Sequence, residues 1–336
     1  MWGNYPARLM IISRTPVRVS FCGGGTDVDS FASSEPNGGM VTSLALNRHI
    51  YVTVNRRFDD WIRVSYSSME MVDDFEDLEH ELVREAMRMT GVTSGVEITT
   101  IADIPGHGTG LGSSSAVTVG LLNVLHRFAG REVSAKQLAE EACRIEIDIL
   151  GQPIGRQDQY AAAFGGVNSI RFGPDSVEVK PVKISPNVVK RLSEEFTLIF
   201  TGVSRSASAV LALPPDDPAD KLARLRVIRG QADVALGLLE SGDLAGMGSL
   251  IGEAWDSKRG TIPLGRYTDE IDSLHDRIMA AGATGAKLLG AGGGGFFLVH
   301  GGEDLRDRLP SMPSSFYVPL IPLGVDVEGS VIIHED

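Results

Sequence analysis

Glu146 and Asp158 flank a Gly-Gln-Pro-Ile-Gly break in the otherwise mostly apolar segment RIEIDILGQPIGRQDQYAAAFGG. Two carboxylates in such a setting can divide labour, one holding a divalent cation such as Mg²⁺ while the other takes a proton. Upstream, residues 104–117 read IPGHGTGLGSSSAV. Gly108, Gly110 and Gly112 free this backbone to curl around an anion. Ser113, Ser114 and Ser115 then open a helix whose first N–H groups lack intrahelical partners and carry the positive end of the dipole. A phosphate group would fit there. Nearer the start, RTPVRVSFCGGGTD sets Arg18 inside an apolar strand, where burial demands a carboxylate or phosphate partner. Thr26 and Asp27 follow three glycines, and Asp27 could accept hydrogen bonds from sugar hydroxyls. A third run, KLLGAGGGGFFLVH, has more consecutive glycines than a two-residue turn requires.

Each feature alone has a plainer reading: solvated helix faces and N-caps for the carboxylates and serines, a salt bridge for Arg18, a hairpin for the last run. Their coincidence is the signal. Glycine makes up 39 of 336 residues, well above the roughly 7% usual in proteins, and the excess is clustered, which points to three loops facing one site.

Several chemistries are disfavoured. The phosphate-type loop has no Lys-Ser or Lys-Thr after its glycines, so it is not a Walker A loop. Gly290, Gly292 and Gly295 match the dinucleotide spacing, but a strand rather than a helix should follow, which argues against NAD. Seven histidines show no paired spacing for zinc, and Ala116 replaces the second glycine of a nucleophile elbow. Cys22 and Cys143 form no disulfide framework, which fits a reducing, cytoplasmic setting. A net charge of −13 works against nucleic-acid binding. No signal peptide is read at the start, and the apolar stretch over 116–125 is far shorter than the ~20 residues of a membrane span.

The elements that must position these residues follow from periodicity. Strands are expected over 9–13, 17–21, 40–45, 50–55 and 61–66 in a mostly antiparallel sheet, with a helix over 78–89 and a strand over 96–101. A helix over 114–128 comes next. Ser134 caps the following helix, whose apolar positions Leu138, Ala142, Ile145 and Ile149 run on to a stop at Gly151 and Pro153. A short helix over 157–164 and strands over 167–171 and 177–182 complete a first domain, residues 1–185. The second domain, residues 186–336, is expected to hold strands over 196–201, 286–289, 296–300, 315–318 and 325–333. Helices are expected over 218–241, 243–258 and 268–281, with a short one near the end, making an α+β chain. Pro214, Pro215 and Pro218 mark a loop.

In this order, the three glycine motifs resemble those of the GHMP kinase superfamily. Residues 16–27 match its first motif, 105–115 its phosphate loop and 287–297 its third. GGGTD, GRQDQYAAAFGG and GAGGGGF are similar to the D-glycero-D-manno-heptose 7-phosphate kinases, with sugar-1-kinases such as fucokinase next. Two departures stand out: Gly24-Gly25 replaces the Glu-His of galactokinases, and Ser115 takes the usual alanine position. The resemblance implies an N-terminal domain like ribosomal protein S5 domain 2, a ferredoxin-like C-terminal domain and a site between them.

It further implies ATP and Mg²⁺ as cosubstrate and cofactor. Asp158 would be the catalytic base, with Arg18 its electrostatic partner. Gly108, Gly110, Leu111, Gly112, Ser113, Ser114 and Ser115 would hold the nucleotide, and Ser114 and Glu146 the metal. Thr26, Asp27, Gly292, Gly293 and Gly294 would face the sugar, and Arg205, Lys258 and Lys287 are candidates for a substrate phosphate. The partner would be a small-molecule sugar or sugar phosphate, and a homodimer is compatible. The expected reaction phosphorylates the anomeric hydroxyl of a heptose 7-phosphate. Alternatives are an unphosphorylated sugar or a non-catalytic nucleotide- or sugar-binding regulator.

Overall fold

The computed structural model describes residues 10–105, 108–174, 176–203, 217–259, 269–309 and 320–336. Arg205, Pro214, Pro215 and the strand expected over 315–318 lie outside these residues.

The chain begins with two long strands, β1 (Met10–Cys22) and β2 (Gly39–Arg56), with the short helix α1 (Asp29–Ala32) between them. Four separate strands were expected here. Pro16 and the polar residues near Asn47 break the alternating pattern along the sequence, yet the pairing absorbs them at a register shift between Pro16 and Val17. β3 (Ile62–Ser65), β4 (Met69–Val72), helix α2 (Glu81–Thr90) and β5 (Val96–Ala102) follow. β2 pairs with β5 along its second half and with β6 (Val167–Phe172) along its first, and β7 (Val177–Pro181) continues from β6. Pairing is antiparallel except between β3 and β5.

Helix α3 (Ser113–Phe128) lies across this sheet, buried along most of its length. Its close seat depends on Gly120: a Cβ there would lie 3.0 Å from Thr15 Oγ1 and 3.1 Å from Val52 Cγ2. Helix α4 (Ala135–Cys143) begins at Ser134, whose Oγ accepts from Gln137 N at 3.2 Å, as its capping sequence predicts.

The next turn departs from expectation. Arg144–Ile149 is π-helical, with Leu150 N donating to Ile145 O at 2.9 Å. Widening the turn changes which side chains face inward. Glu146 is completely buried, whereas Ile149, expected on the apolar face, is 47% exposed. Helix α5 (Gln157–Phe164) then leads back into β6.

Beyond helix α6 (Pro186–Glu195), β8 (Phe196–Phe200) enters a second, antiparallel sheet. Its other strands are β9 (Gly285–Leu288), β10 (Phe296–His300) and β11 (Ile321–Pro322), in the order β11-β8-β10-β9. Helices α7 (Pro218–Ser241), α8 (Leu244–Arg259), α9 (Asp269–Ala280) and α10 (Glu303–Arg308) belong to this half. Both faces of the sheet are buried. Phe296 and Leu298 join the main core, while Phe297 and Val299 alternate to the other face with Trp255, Ile271, Leu274 and Ile278. The chain ends with β12 (Val331–Glu335), which returns to pair with β1 in the first sheet. None of the described helices is long and apolar enough to cross a membrane.

Candidate active site

Gly108, Gly110 and Gly112 have φ of +68°, +76° and +73°, a region that disfavours side chains. Their curl delivers the chain to the N-terminus of α3 with Gly112 as the cap residue and no side-chain cap. Among the described residues, the N–H groups of Ser113, Ser114 and Ser115 have no acceptor, so they remain available to an anion. Leu111 anchors the loop from behind: its side chain is buried and its carbonyl accepts from Arg18 N at 2.9 Å. Ser113 and Ser115 are buried, whereas Ser114 is exposed.

Three consecutive residues at the start of α5 organise the acidic side of the site. Asp158 meets Arg18, with Nε at 2.8 Å and Nη2 at 2.7 Å from the same oxygen, Oδ1. Arg18 Nη1 donates to the carbonyl of Gly110, tying the pair to the glycine loop. Oδ2 of Asp158 has no hydrogen-bond partner among the described residues and lies over Gly112, where a Cβ would come within 3.0 Å of it. Gln159 Nε2 donates to Glu146 Oε2 at 2.6 Å, and Ser114 Oγ donates to Glu146 Oε1 at 3.1 Å. Gln157 donates to Asp27 twice, from its backbone N to Oδ2 and from Nε2 to Oδ1, each at 3.1 Å. The sequence reading singled out Asp158 and passed over both glutamines. The QDQ pattern was the available signal.

Burial pushes Glu146 up to about 7, against hydrogen bonds from Gln159, Ser115 and Ser114 that pull it down; the charge of Asp158 adds to the rise. A hydroxyl and a carboxylate together suit a hard cation, so Ser114 and Glu146 fit Mg²⁺. Among the described residues, no cluster of three or more His, Cys, Asp or Glu side chains could hold a metal. Asp27 is also held above the ordinary carboxylate range, first by burial and then by Asp158.

Asp27 and Thr26, expected to face a sugar, are turned inward. Asp27 is 1% exposed, and Gly25 N joins Gln157 in donating to it. Thr26 is fully buried, its Oγ1 donating to the carbonyls of Gly23 and Met40 and accepting from Met40 N. In this arrangement Thr26 pins the first glycine turn.

The third glycine run is a docking element. Gly292, Gly293 and Gly294 have φ of +101°, +84° and +156° and are buried. The run packs backbone to backbone on the phosphate-type loop: a Cβ on Gly290 would lie 2.4 Å from Gly110 Cα, and one on Gly295 would lie 2.2 Å from Thr109 O. Phe296 N donates to Thr109 O at 3.1 Å.

Lys258 and Lys287 reinforce this junction. Lys258 Nζ donates to the carbonyls of Leu288 and Gly290, and Lys287 Nζ reaches across to those of Ser20 and Phe21 on β1. Burial holds both ammonium groups below the ordinary lysine range. Lys287 and Arg18 lower Lys258 further, as Arg18 does Lys287.

The family models for the GHMP kinases N terminal domain and the GHMP kinases C terminal match residues 79–166 and 235–312. A D-glycero-alpha-D-manno-heptose 7-phosphate kinase of Campylobacter jejuni is 28% identical over 304 residues, covering 85% of this chain and 88% of the relative. The bifunctional fucokinase/GDP-fucose pyrophosphorylase of Arabidopsis thaliana is 26% identical over 352 residues, spanning 91% of this chain but 32% of its own length. A solved D-glycero-D-manno-heptose 1-phosphate kinase from Bacteriodes thetaiotaomicron superposes with a TM-score of 0.76 at 24% identity, over 95% of this chain and 97% of that one. That last likeness is one of fold. With the N-terminal and the C-terminal family models matched in order and the phosphate-type loop inside the first, the chain belongs to the GHMP kinases.

Proposed function

We propose that this ATP-dependent sugar kinase phosphorylates the anomeric hydroxyl of a heptose 7-phosphate, giving the 1,7-bisphosphate. One observation carries the chemistry. Arg18 places two donors on Oδ1 of Asp158 and, among the described residues, leaves Oδ2 without a partner, above the uncapped start of α3. In this reading Oδ2 accepts the proton of the attacking hydroxyl, and Arg18 keeps the carboxylate oriented. An anomeric hydroxyl is more acidic than an ordinary alcohol, so a carboxylate suffices as base. The N–H groups of Ser113, Ser114 and Ser115 hold terminal phosphate oxygens, and Ser114 and Glu146 hold the metal ion. When bound, Mg²⁺ supplies charge neutralisation at the transferring phosphoryl group. Glu146 is then ionised, giving up the proton that burial favours.

The similarity to the Campylobacter jejuni enzyme supports the phosphorylated heptose. A specific observation favours a second reading, an unphosphorylated sugar of the fucokinase type: Lys258 and Lys287 both spend donors on backbone carbonyls. A coupled ADP-release assay with ATP, Mg²⁺ and a panel of sugars decides. Turnover confined to heptose 7-phosphate supports the first reading, and turnover of a free sugar the second. No turnover with any sugar overturns both.

A further inference from the structure

Among the described residues, two polar atoms beside the Arg18–Asp158 pair have no hydrogen-bond partner. Ser20 is 7% exposed and its Oγ makes no hydrogen bond; Gln157 Oε1 is likewise buried without one, although the Nε2 of the same amide holds Asp27. A buried polar group left unpaired costs free energy comparable to a lost hydrogen bond, so each such atom requires an explanation. Other unpartnered buried atoms are scattered through the described residues, but these two converge. A Cβ built on Gly24 would lie 3.6 Å from Ser20 Oγ and 3.8 Å from Gln157 Oε1. Gly24 itself is part-exposed, and it contributes no side chain to the space between them.

Their positions in the chain tie both atoms to the reaction centre. Ser20 lies two residues beyond Arg18 on β1, so their side chains leave the same face of the strand. Gln157 immediately precedes Asp158 at the start of α5. The atoms are also chemically complementary to one kind of group. A serine hydroxyl can donate and an amide oxygen can only accept, so a single ligand hydroxyl could accept from Ser20 and donate to Gln157.

We infer that Ser20 and Gln157 form a subsite for one hydroxyl of the sugar, near the hydroxyl that Asp158 deprotonates, with Gly24 as its floor. The subsite discriminates for a hydroxyl at that position, because a deoxy sugar would leave both protein groups unpaired. This inference rests on the sugar-kinase reading and adds the residues that select among sugars.

The test uses the full chain and whichever sugar the wild-type protein turns over in the ADP-release panel, together with its monodeoxy analogues. Ser20→Ala should raise KM for the parent sugar about tenfold, the worth of one hydrogen bond, with kcat within about twofold. One monodeoxy analogue should be poor for wild type already, and Ser20→Ala should change its KM by less than about twofold, the two losses being one and the same. Because the hydroxyl has no partner among the described residues, Ser20→Ala should melt at or above the wild-type temperature. Gly24→Ala is a second variant, since its added methyl meets neighbours only at ordinary contact distance. It should keep the fold and raise KM by filling the space. A lowered melting temperature with KM unmoved would make Ser20 Oγ structural and overturn the inference, as would an equal rise in KM for every analogue. Wild-type turnover with unmoved KM in both variants overturns this inference alone, whereas absence of turnover with all sugars overturns the kinase reading along with it.

Discussion

The loop before α3 and the loop before β10 have similar compositions, both glycine-rich with repeated positive φ, yet they spend that freedom differently. In the first, glycines at 108, 110 and 112 bring the chain to a helix start whose N–H groups are left open. In the second, glycines at 290 and 295 let one backbone press directly onto the other loop, and the neighbouring lysines donate to carbonyls. Glycine therefore serves different ends in the two places: in one it leaves a helix start open, and in the other it lets the protein's own backbone approach closely. The two uses are coupled. The docking loop holds Thr109 and Gly110, and Gly110 in turn receives Arg18, the partner of Asp158.

The contrast can be broken first on the catalytic side. Asp158→Asn should lower kcat about a thousandfold by removing proton acceptance, while the dissociation constant for ATP, read by calorimetry, stays within a few-fold. Loss of ATP binding instead would assign Asp158 to the phosphate cradle. On the docking side, Gly295→Ala places a methyl 2.2 Å from Thr109 O at a φ of +100° and should cost about 3 kcal/mol or more in urea unfolding. Gly130→Ala is the control. Its φ is +75° with open space around it, so only the backbone penalty of about 1 kcal/mol applies. Equal effects would erase the docking role.

Lys287→Met sharpens the comparison at smaller magnitude. Stripping the donor from the carbonyls of Ser20 and Phe21 should cost about 2 kcal/mol in the same measurement. A rise in KM confined to phosphorylated sugars would move Lys287 from docking to substrate binding.

Glu146→Gln should change stability in the opposite direction, with a distinctive dependence on pH. The folded value of Glu146, about 7, lies above its ordinary 4.5, so the folded chain keeps a proton that the unfolded chain releases between those values. The stabilisation this proton confers is complete below pH 4.5 and disappears as pH climbs through 7. Glutamine copies the neutral acid, so by pH 8 the variant should have gained about 3 kcal/mol on wild type relative to its standing at pH 4. Melting curves across that range check the slope, and ADP release should be lost throughout.

Much of this was legible along the chain because it is local. The serine helix start, the Ser134 cap and the strands β8 and β10 each depend on neighbours a few residues apart, and the structure reproduces them. Asp158 and Arg18 could be paired only through the family resemblance, although they are the residues that meet. Other features escaped the reading. The π-helical turn that buries Glu146 and exposes Ile149 has no marker in an apolar period that continues undisturbed through Leu138, Ala142 and Ile145. Nothing local to Thr26 and Asp27 marks how deeply they are buried. Their burial depends on Met40 and Gln157, which come from other segments.

By itself, the sequence determined most of the element types, the three glycine clusters and the polar residues set beside them. Those follow from short-range backbone sterics, capping and side-chain chemistry. Tertiary structure alone decided that Gln157 and Gln159 hold two carboxylates on either side of Asp158, that β12 closes onto β1, and that the last glycine run serves docking. The physical reason is that burial, hydrogen-bond saturation and backbone contact are relations between segments far apart in the chain, set only when those segments pack together.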